Sequence, residues 1–342
     1  MTAAAQPARV KSHWLRTVLI NVAVVLTLLL VVEVAARVAI YATRGTATAG
    51  LQERTLNLEY EPFVMFGPGW DARLAVPPAD GLPTVLLVGG STAQGFAPPI
   101  LEKAIAARFG RPVRVVNAAY GGYNVRQEVV VAALWGGRLK PAALISLDGQ
   151  NDFEHRLRVA APGRFFLDSA YRVYLTRPWL APLVYVASHS QAYSALTRIA
   201  ARRQIGPVDA YEDAIPVYLE GQHALNVIAR GLGAGRLMVL QPFVAFKQPL
   251  AAEEQAFTAY AYREPVMRAL YDRTAAGLAS LAREDGVRFL DARPIYGGVG
   301  EAIFTDDVHF RTARGYEELA RAIASALPDD ALGRPQAGAS RP

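Results

Sequence analysis

From residue 84 onward, short apolar runs alternate with stretches of helical character, and this alternation restricts the fold more than any other feature of the chain. We predict strands over residues 84–90, 113–119, 142–149, 236–242 and 287–294. Strands separated by helices form a parallel sheet that is covered on both faces. The sequence therefore predicts a three-layer α/β/α sandwich with a central parallel sheet, of the flavodoxin-like kind.

A long apolar segment precedes this region. Residues 17–32 are apolar except for Thr17, Asn21 and Thr27, and the apolar pattern continues past Glu33 to Tyr41. About 25 such residues are enough to cross a bilayer with some tilt. We predict a transmembrane helix over 17–42, after an N-terminal tail over 1–16.

A cleaved signal peptide is the alternative interpretation of this segment. The small residues "ATA" at 47–49 could provide a cleavage site. The apolar run is, however, longer than the roughly 7–15 residues of a signal-peptide core. A retained membrane anchor is therefore the favoured prediction.

The charges around the apolar segment indicate its orientation. Residues 1–44 carry five basic side chains against a single acid, Glu33. Basic residues are enriched on the cytoplasmic side of membrane helices. We therefore expect a cytoplasmic N-terminus and an extracytoplasmic, periplasmic domain, with Glu33 and Arg37 paired near the outer interface.

Composition excludes several classes of function. Outside residues 1–44 the chain has 31 basic and 29 acidic residues, which does not favour nucleic-acid binding. The chain has no cysteine, so disulfides, thiolate metal sites and a cysteine nucleophile are excluded. No motif calls for a cofactor or a metal ion.

Polar residues and glycines follow the predicted strands at the points where each strand ends. Because the carboxyl ends of parallel strands meet at one edge of the sheet, we expect these residues to lie close together. In chain order they are Ser91; Asn117, Gly121 and Gly122; Asn151 and Asp152; and Asp306 and His309.

This set contains every part that acyl transfer requires. A serine becomes nucleophilic when an imidazole accepts its proton, and a carboxylate orients that imidazole. Ser91, His309 and Asp306 can fill these roles, although Asp307 competes with Asp306 for the last. Backbone N–H groups of Ser91 and Gly122, together with the Asn151 amide, could stabilise an oxyanion.

Ser91 by itself has other interpretations. A serine between a strand and a helix is often a helix cap. The segment "GGSTAQG" does not have the glycine spacing of a dinucleotide-binding or P-loop motif. It also lacks the G-x-S-x-G pattern of an α/β-hydrolase.

Four segments together resemble the blocks of the SGNH/GDSL hydrolase superfamily, in particular its membrane-anchored bacterial members. These are "GGSTAQG" with Ser91, "NAAYGG" with Gly122, "GQND" with Asn151 and "DDVH" with Asp306 and His309. The resemblance implies that Ser91, Asp306 and His309 are catalytic and that Ser91, Gly122 and Asn151 form the oxyanion hole. One departure is Gly90, which occupies the position of the Asp in the GDSL motif that gives the family its name.

The resemblance also implies a function. We expect a serine-dependent ester hydrolase that acts outside the membrane through an acyl-enzyme on Ser91, with a glycan or lipid ester as substrate. Two alternatives stay open. One is an O-acyltransferase for an envelope polysaccharide or lipid, and the other is a non-catalytic scaffold subunit of envelope polysaccharide machinery.

The rest of the chain after the apolar segment divides into a linker, one domain and a tail. A linker over 43–80 leads to the hydrolase domain over 81–327, and a disordered tail over 328–342 follows. Within the domain, 153–235 is either a cap over the site or a set of flanking helices. The histidines other than His309 are expected at the surface, although His155 lies close enough in sequence to Asn151 to approach the site.

Overall fold

A computed structural model describes residues 11–44, 59–74, 81–158, 206–258 and 264–333, together with 173, 176–193, 195 and 196. The described residues divide into two compact units. One unit contains the N-terminal helix and the helical segment near residue 185. The other contains the sheet and the helices that surround it.

The first unit is built on α1, Lys11–Arg44. Its stretch Trp14–Ala42 is long and apolar enough to cross a membrane, and its side chains are exposed in the isolated chain. The predicted span 17–42 lies inside this helix. A 3₁₀ turn over Pro178–Leu180 and the helix α7, Ala181–His189, belong to the same unit.

The second unit contains a five-stranded parallel sheet, which confirms the predicted fold class. Its strands are β3 Thr84–Gly89, β4 Arg114–Asn117, β5 Ala143–Asp148, β6 Gly235–Leu240 and β7 Arg288–Asp291. They lie in the order β4-β3-β5-β6-β7. Every residue of β3 and β5 is buried. Central strands of a sheet covered on both faces have this continuous apolar character.

Helices cover the two faces of the sheet. On one face α4, Pro98–Phe109, packs against α11, Ala313–Ala326. On the other face lie α5 Val125–Leu139, α8 Ala214–Gly231 and α10 Glu264–Asp285. Three short helices follow strands or loops: α3 Ser91–Gln94, α6 Gln150–Arg158 and α9 Ala252–Thr258.

The predicted linker over 43–80 is wrong for residues 59–74, which fold onto the sheet domain. They form an antiparallel hairpin, β1 Glu59–Glu61 and β2 Met65–Gly67, followed by α2, Trp70–Arg73. Trp70 is fully buried, and its Nε1–H donates to the Tyr123 hydroxyl at 2.9 Å. Residues 45–58 and 75–80 lie outside the described residues.

The predicted disordered tail also begins too early. Ala331 and Leu332 are buried, and Arg111 Nη2 donates to the carbonyl oxygens of Leu332 and Gly333. Apolar burial and these hydrogen bonds extend the domain to residue 333. The rest of the predicted tail, 334–342, lies outside the described residues.

The predicted insertion over 153–235 is only partly described. Its last part is α8, which packs between α5 and α10 as a flanking helix. Most of 159–205 lies outside the described residues, so the cap interpretation stays a prediction there. His155 is buried in the fold rather than at the surface, contrary to the expectation for the histidines other than His309.

Candidate active site

Ser91 is the first residue of α3 and follows the end of β3 after Gly90, beside the central pair of strands. The sheet order reverses between β3 and β5, and ligands bind at such a switch point in open α/β sheets. Gly89 ends β3 with φ of 154°, and a Cβ there would lie 2.2 Å from the Leu147 carbonyl oxygen. The glycine therefore lets β3 and β5 approach closely just before Ser91.

His309 and Asp306 reach Ser91 from the loop before α11. The distance from His309 Nε2 to Ser91 Oγ is 2.6 Å, and the distance from His309 Nδ1 to Asp306 Oδ2 is also 2.6 Å. Both are hydrogen-bond distances. The structure thus brings together the serine, imidazole and carboxylate that the sequence places at separate strand ends.

The Asp306 carboxylate is held by its own loop. Its Oδ1 accepts hydrogen bonds from the backbone N–H groups of Val308 and His309, at 3.0 and 2.8 Å. Burial alone would raise the pKa of Asp306, but the hydrogen bonds from His309 and these N–H groups lower it overall. An ionised Asp306 favours a proton on His309 Nδ1, which leaves Nε2 free to accept the Ser91 proton.

The loop that carries Gly122, one of the predicted oxyanion donors, lies beside Ser91, since a Cβ on the neighbouring Gly121 would come within 3.7 Å of Ser91 Cβ. Gly122 has φ of 86°, a conformation that favours glycine. The neighbouring Gly121 N–H donates to Gln94 Oε1 at 3.0 Å and is therefore already used. Within the described part of the chain, the N–H groups of Ser91 and Gly122 have no hydrogen-bond acceptor.

The Asn151 side chain is fixed beside the serine. Its Nδ2 donates to the Tyr123 carbonyl oxygen at 2.7 Å, which uses one amide hydrogen and leaves the second available. A Cβ at Gly90 would lie 2.4 Å from this nitrogen. A side chain at position 90 would therefore displace the Asn151 amide from its present position.

Asn117 connects two of these loops, a role that the sequence did not reveal. Its Nδ2 donates to the carbonyl oxygens of Ala93 and Phe96 at 2.8 and 3.0 Å. Its Oδ1 accepts from the Ala119 N–H at 3.0 Å. The side chain therefore ties the segment after Ser91 to the loop that carries Gly122.

Asp307, the rival of Asp306, contacts a different element. Its Oδ2 accepts from Gln150 Nε2 at 3.2 Å, and Gln150 directly precedes Asn151. Its backbone carbonyl accepts from the Val244 N–H at 2.9 Å. Asp307 therefore links the loop over residues 303–312, which carries Asp306 and His309 and is called the histidine loop below, to the Asn151 segment. Asp306, in contrast, contacts the imidazole.

Glu254 accepts hydrogen bonds from the backbone at the start of the histidine loop. Its Oε1 accepts from the backbone N–H groups of Ile303 and Phe304, at 2.8 and 3.0 Å. Its Oε2 accepts from the Ala251 N–H at 3.0 Å and from Lys247 Nζ at 2.6 Å. The side chains of Glu254 and Lys247 are 0% and 1% exposed. Although burial opposes ionisation, these hydrogen bonds lower the pKa of Glu254 overall.

A group of buried acids lies behind the Asn151 segment. Tyr218 Oη and Gln222 Nε2 donate to the two carboxylate oxygens of Asp148. Burial, with Asp148 nearby, raises the pKa of Glu128 and of Asp152 well above the usual values. Burial also lowers the pKa of Arg236 to about 10, which leaves its guanidinium charged at neutral pH.

Among the described residues, no group of three or more His, Cys, Asp or Glu side chains could hold a metal ion. The candidate site consists of Ser91, His309, Asp306 and the hydrogen-bond donors around them. Its chemistry is that of a nucleophile with a general base.

Comparison with known proteins gives likeness of fold at low identity. No family model matches the chain, and no curated protein matches its sequence. The chain is similar to the acetylxylan esterase Axe2 from Geobacillus stearothermophilus, with 17% identity and a TM-score of 0.42 over 71% of this chain and 93% of that one. It is also similar to LAE5, an alpha/beta hydrolase enzyme from the metagenome of Lake Arreo, with 15% identity and a TM-score of 0.43 over 76% of this chain and 99% of that one. At these values, the case for a function rests on the geometry of the site.

Proposed function

We propose that the chain is a carboxylic ester hydrolase of the SGNH/GDSL type, with Ser91 as its nucleophile. The observation that carries the proposal is the hydrogen-bonded series Ser91, His309 and Asp306, with both nitrogen–oxygen distances at 2.6 Å. These residues come from opposite ends of the domain sequence. If Ser91 were only a helix cap, it would need neither His309 nor Asp306 beside it.

In the first half of the reaction, Ser91 Oγ attacks the ester carbonyl carbon while His309 Nε2 accepts the hydroxyl proton. The ionised Asp306 stabilises the resulting imidazolium. The carbonyl oxygen becomes an oxyanion, which the N–H groups of Ser91 and Gly122 and the Asn151 amide stabilise. Collapse of this intermediate breaks the bond to the alcohol oxygen, and His309 gives its proton to the leaving alcohol.

In the second half, water attacks the acyl carbon bound to Ser91. His309 accepts a proton from this water and returns it to Ser91 Oγ as the acid leaves. The Asp306 side chain is 47% exposed and that of His309 is 24% exposed. Water can therefore reach the base.

We also propose that α1 anchors the enzyme in the cytoplasmic membrane and that the hydrolase domain lies outside it. The length and apolar character of Trp14–Ala42 support the anchor. The basic residues before the apolar run support an N-terminus in the cytoplasm. The substrate would then be an acyl ester of a glycan or lipid at the outer face of that membrane.

The proposal is tested on the full-length protein purified in detergent. We expect release of chromophore from a short-chain aryl ester and covalent labelling of Ser91 by a fluorophosphonate. Ser91→Ala should abolish both signals, and His309→Ala should remove turnover because the serine loses its base. Asn151→Ala should lower kcat by about 10²–10³, the effect of losing one oxyanion donor.

Controls and acceptors separate the alternatives in the same assay. Ser325→Ala changes an exposed serine on α11, outside the site, and should leave turnover intact. Acylated sugar formed faster than free acid, when glycan acceptors are added, would identify an acyltransferase. If folded protein gives neither turnover nor labelling, the enzymatic proposal is wrong and a scaffold role replaces it.

A further inference from the structure

An acidic side chain lies within the apolar helix α1, and it is bound rather than left facing lipid. The Glu33 carboxylate accepts hydrogen bonds from the backbone N–H groups of Gln191 and Ala192 at 3.0 and 3.1 Å. It also accepts from the Ser190 hydroxyl at 2.8 Å. These residues begin the helical turn that follows α7, so Glu33 caps that turn from another helix.

Arg37 completes the same connection. Its Nε donates to Glu33 Oε1 at 2.8 Å, as the spacing of four residues predicts. Its Nη2 donates to the carbonyl oxygen of His189, the last residue of α7, at 3.3 Å. The ion pair therefore satisfies backbone groups on both sides of Ser190. It binds the segment 178–193 to α1.

The position of Glu33 along α1 sets the depth of this contact. Twenty helical residues span about 30 Å, the thickness of the hydrocarbon core of a bilayer. The stretch from Trp14 to Glu33 has this length, so Glu33 lies at one boundary of the core when Trp14 lies at the other. Acidic and basic side chains are tolerated at such a boundary and are costly at the centre. Segment 178–193 is therefore held at the level of the lipid headgroups.

One face of this segment is apolar and exposed. Leu183 and Val186 lie three residues apart on one side of α7, and Trp179 lies in the 3₁₀ turn that directly precedes this helix. The exposed fractions of Trp179, Leu183 and Val186 are 75%, 66% and 65%. Tryptophan is enriched at membrane–water interfaces, and helices that lie in the interface bury such apolar faces among the lipids.

We propose that segment 178–193 is a second membrane contact, with Trp179, Leu183 and Val186 inserted among the lipids at the level of Glu33. The occupant of this face is the bilayer because the segment is hydrogen-bonded to the helix that crosses it. The inference rests on the proposed anchoring by α1. It goes beyond that proposal because it adds a contact distant in sequence from the anchor.

The absence of cysteine makes a direct test practical. Leu183→Cys and Val186→Cys variants of the full-length chain are each labelled with an environment-sensitive fluorophore and placed in phosphatidylcholine nanodiscs. Leu26→Cys, on exposed α1 surface, is the positive control, and Ala107→Cys, exposed on α4, is the negative control. Quenching by lipids that carry a spin label near the headgroup, and by lipids that carry one deep in the acyl chain, is compared with quenching by aqueous iodide.

We expect lipid quenching at 183 and 186 of at least twofold, with protection from iodide, and the reverse at 107. Quenching at 26 but not at 183 or 186 would overturn the inference and leave the anchor in place. No lipid quenching at 26 would instead show that α1 does not enter the bilayer. Energy transfer between labels at 183 without lipid quenching would mean that a second copy covers the face, which also overturns the inference.

A label-free measurement guards against perturbation by the fluorophore. The chain has four tryptophans, of which Trp70 and Trp135 are buried. Trp179→Phe should remove part of the tryptophan fluorescence that brominated lipids quench, and Trp135→Phe should not. Equal quenchable fluorescence in the wild type and in Trp179→Phe would contradict insertion of this residue.

Discussion

At the scale of single residues, two adjacent acids in the histidine loop have different partners. Asp306 bonds to His309, and Asp307 bonds to Gln150. Only an acid at 306 can stabilise the charged imidazole directly. An acid at 307 acts on the position of the loop.

This difference gives a kinetic prediction. Asp306→Asn should lower kcat for an aryl ester by about 10⁴, because the amide no longer favours the tautomer that accepts the serine proton. Asp307→Asn should lower it by less than about tenfold, since an amide oxygen can still accept from Gln150. Steady-state kinetics on both variants, with circular dichroism to confirm folding, make the measurement. A larger loss at 307 would show that the acid has been assigned to the wrong residue.

The buried acids give a prediction about stability and pH. Burial raises the pKa of Glu128 in the folded state, so the folded chain keeps a proton that the unfolded chain releases above about pH 4.3. The unfolding free energy therefore falls as pH rises above that value, by up to about 1.4 kcal/mol per pH unit for each such proton. Glu128→Gln removes this titration and should flatten the dependence. Its gain over the wild type should be larger at pH 8 than at pH 5.

Denaturant unfolding of the wild type and Glu128→Gln at several pH values checks this. Glu220→Gln, at an exposed position of α8, is the matched control and should keep the wild-type dependence. Parallel curves for the wild type and Glu128→Gln would mean that Glu128 is ionised in the folded protein.

The proximity of the predicted site residues could be anticipated because each lies in a short recognisable segment near the edge of the sheet. Ser91, Asn151 and His309 lie in recognisable blocks, and parallel strands bring those blocks to one edge. The hydrogen bonds of Asn117 and Glu254 had no such signature. Both side chains bind backbone groups of loops whose paths depend on the folded chain, so no spacing in the sequence reveals them.

At the scale of elements, the hairpin and helix over 59–74 show where sequence patterns fail. Strands of three residues are too short for an alternating pattern to be seen. The segment is ordered by aromatic contacts with distant residues: Phe66 packs edge-on against Tyr123, and Trp70 lies beside Trp135. The Tyr123 carbonyl oxygen also accepts a hydrogen bond from Asn151 Nδ2, so this hairpin supports the residue that positions the Asn151 side chain.

The loop that carries His309 gives an element-scale prediction. Glu254→Gln replaces one of two acceptor oxygens with a donor, so either Lys247 or the N–H groups of Ile303 and Phe304 lose their partner. Breaking a buried ion pair costs about 3–5 kcal/mol of unfolding free energy. Where the variant stays folded, we expect slower fluorophosphonate labelling of Ser91, because the histidine loop is less well positioned.

Glu253→Gln is the matched control, since its side chain is exposed one residue away. It should change the unfolding free energy by less than about 0.5 kcal/mol and leave labelling unchanged. Equal stability and equal labelling for the two variants would show that Glu254 does not hold the loop.

At the scale of the whole molecule, the order of the strands in the sheet determines which strand-end residues lie next to one another. The sheet order reverses between β3 and β5, where ligands bind in open α/β sheets, and Ser91 and Asn151 lie within three residues of the ends of these two strands. The alternation of strands and helices was enough to predict the sheet. The path of residues 159–205 was not predictable, because the sheet requires no particular structure between α6 and α8.

The orientation of the molecule in the membrane is the remaining prediction at this scale. Basic residues precede the apolar run of α1, so the N-terminus should stay in the cytoplasm and the chain after α1 should lie outside. A reporter enzyme that is active only in the periplasm, fused after residue 342, should be active. The full-length protein should also resist extraction from membranes at alkaline pH, because a spanning helix is not released when surface charges are neutralised.

Replacing Arg9, Lys11 and Arg16 together with glutamine should weaken the orientation and lower reporter activity, whereas the same change at Arg314 and Arg321 on α11 should not. Activity seen only with a reporter that requires the cytoplasm would reverse the proposed topology and place Ser91 on the inner side of the membrane.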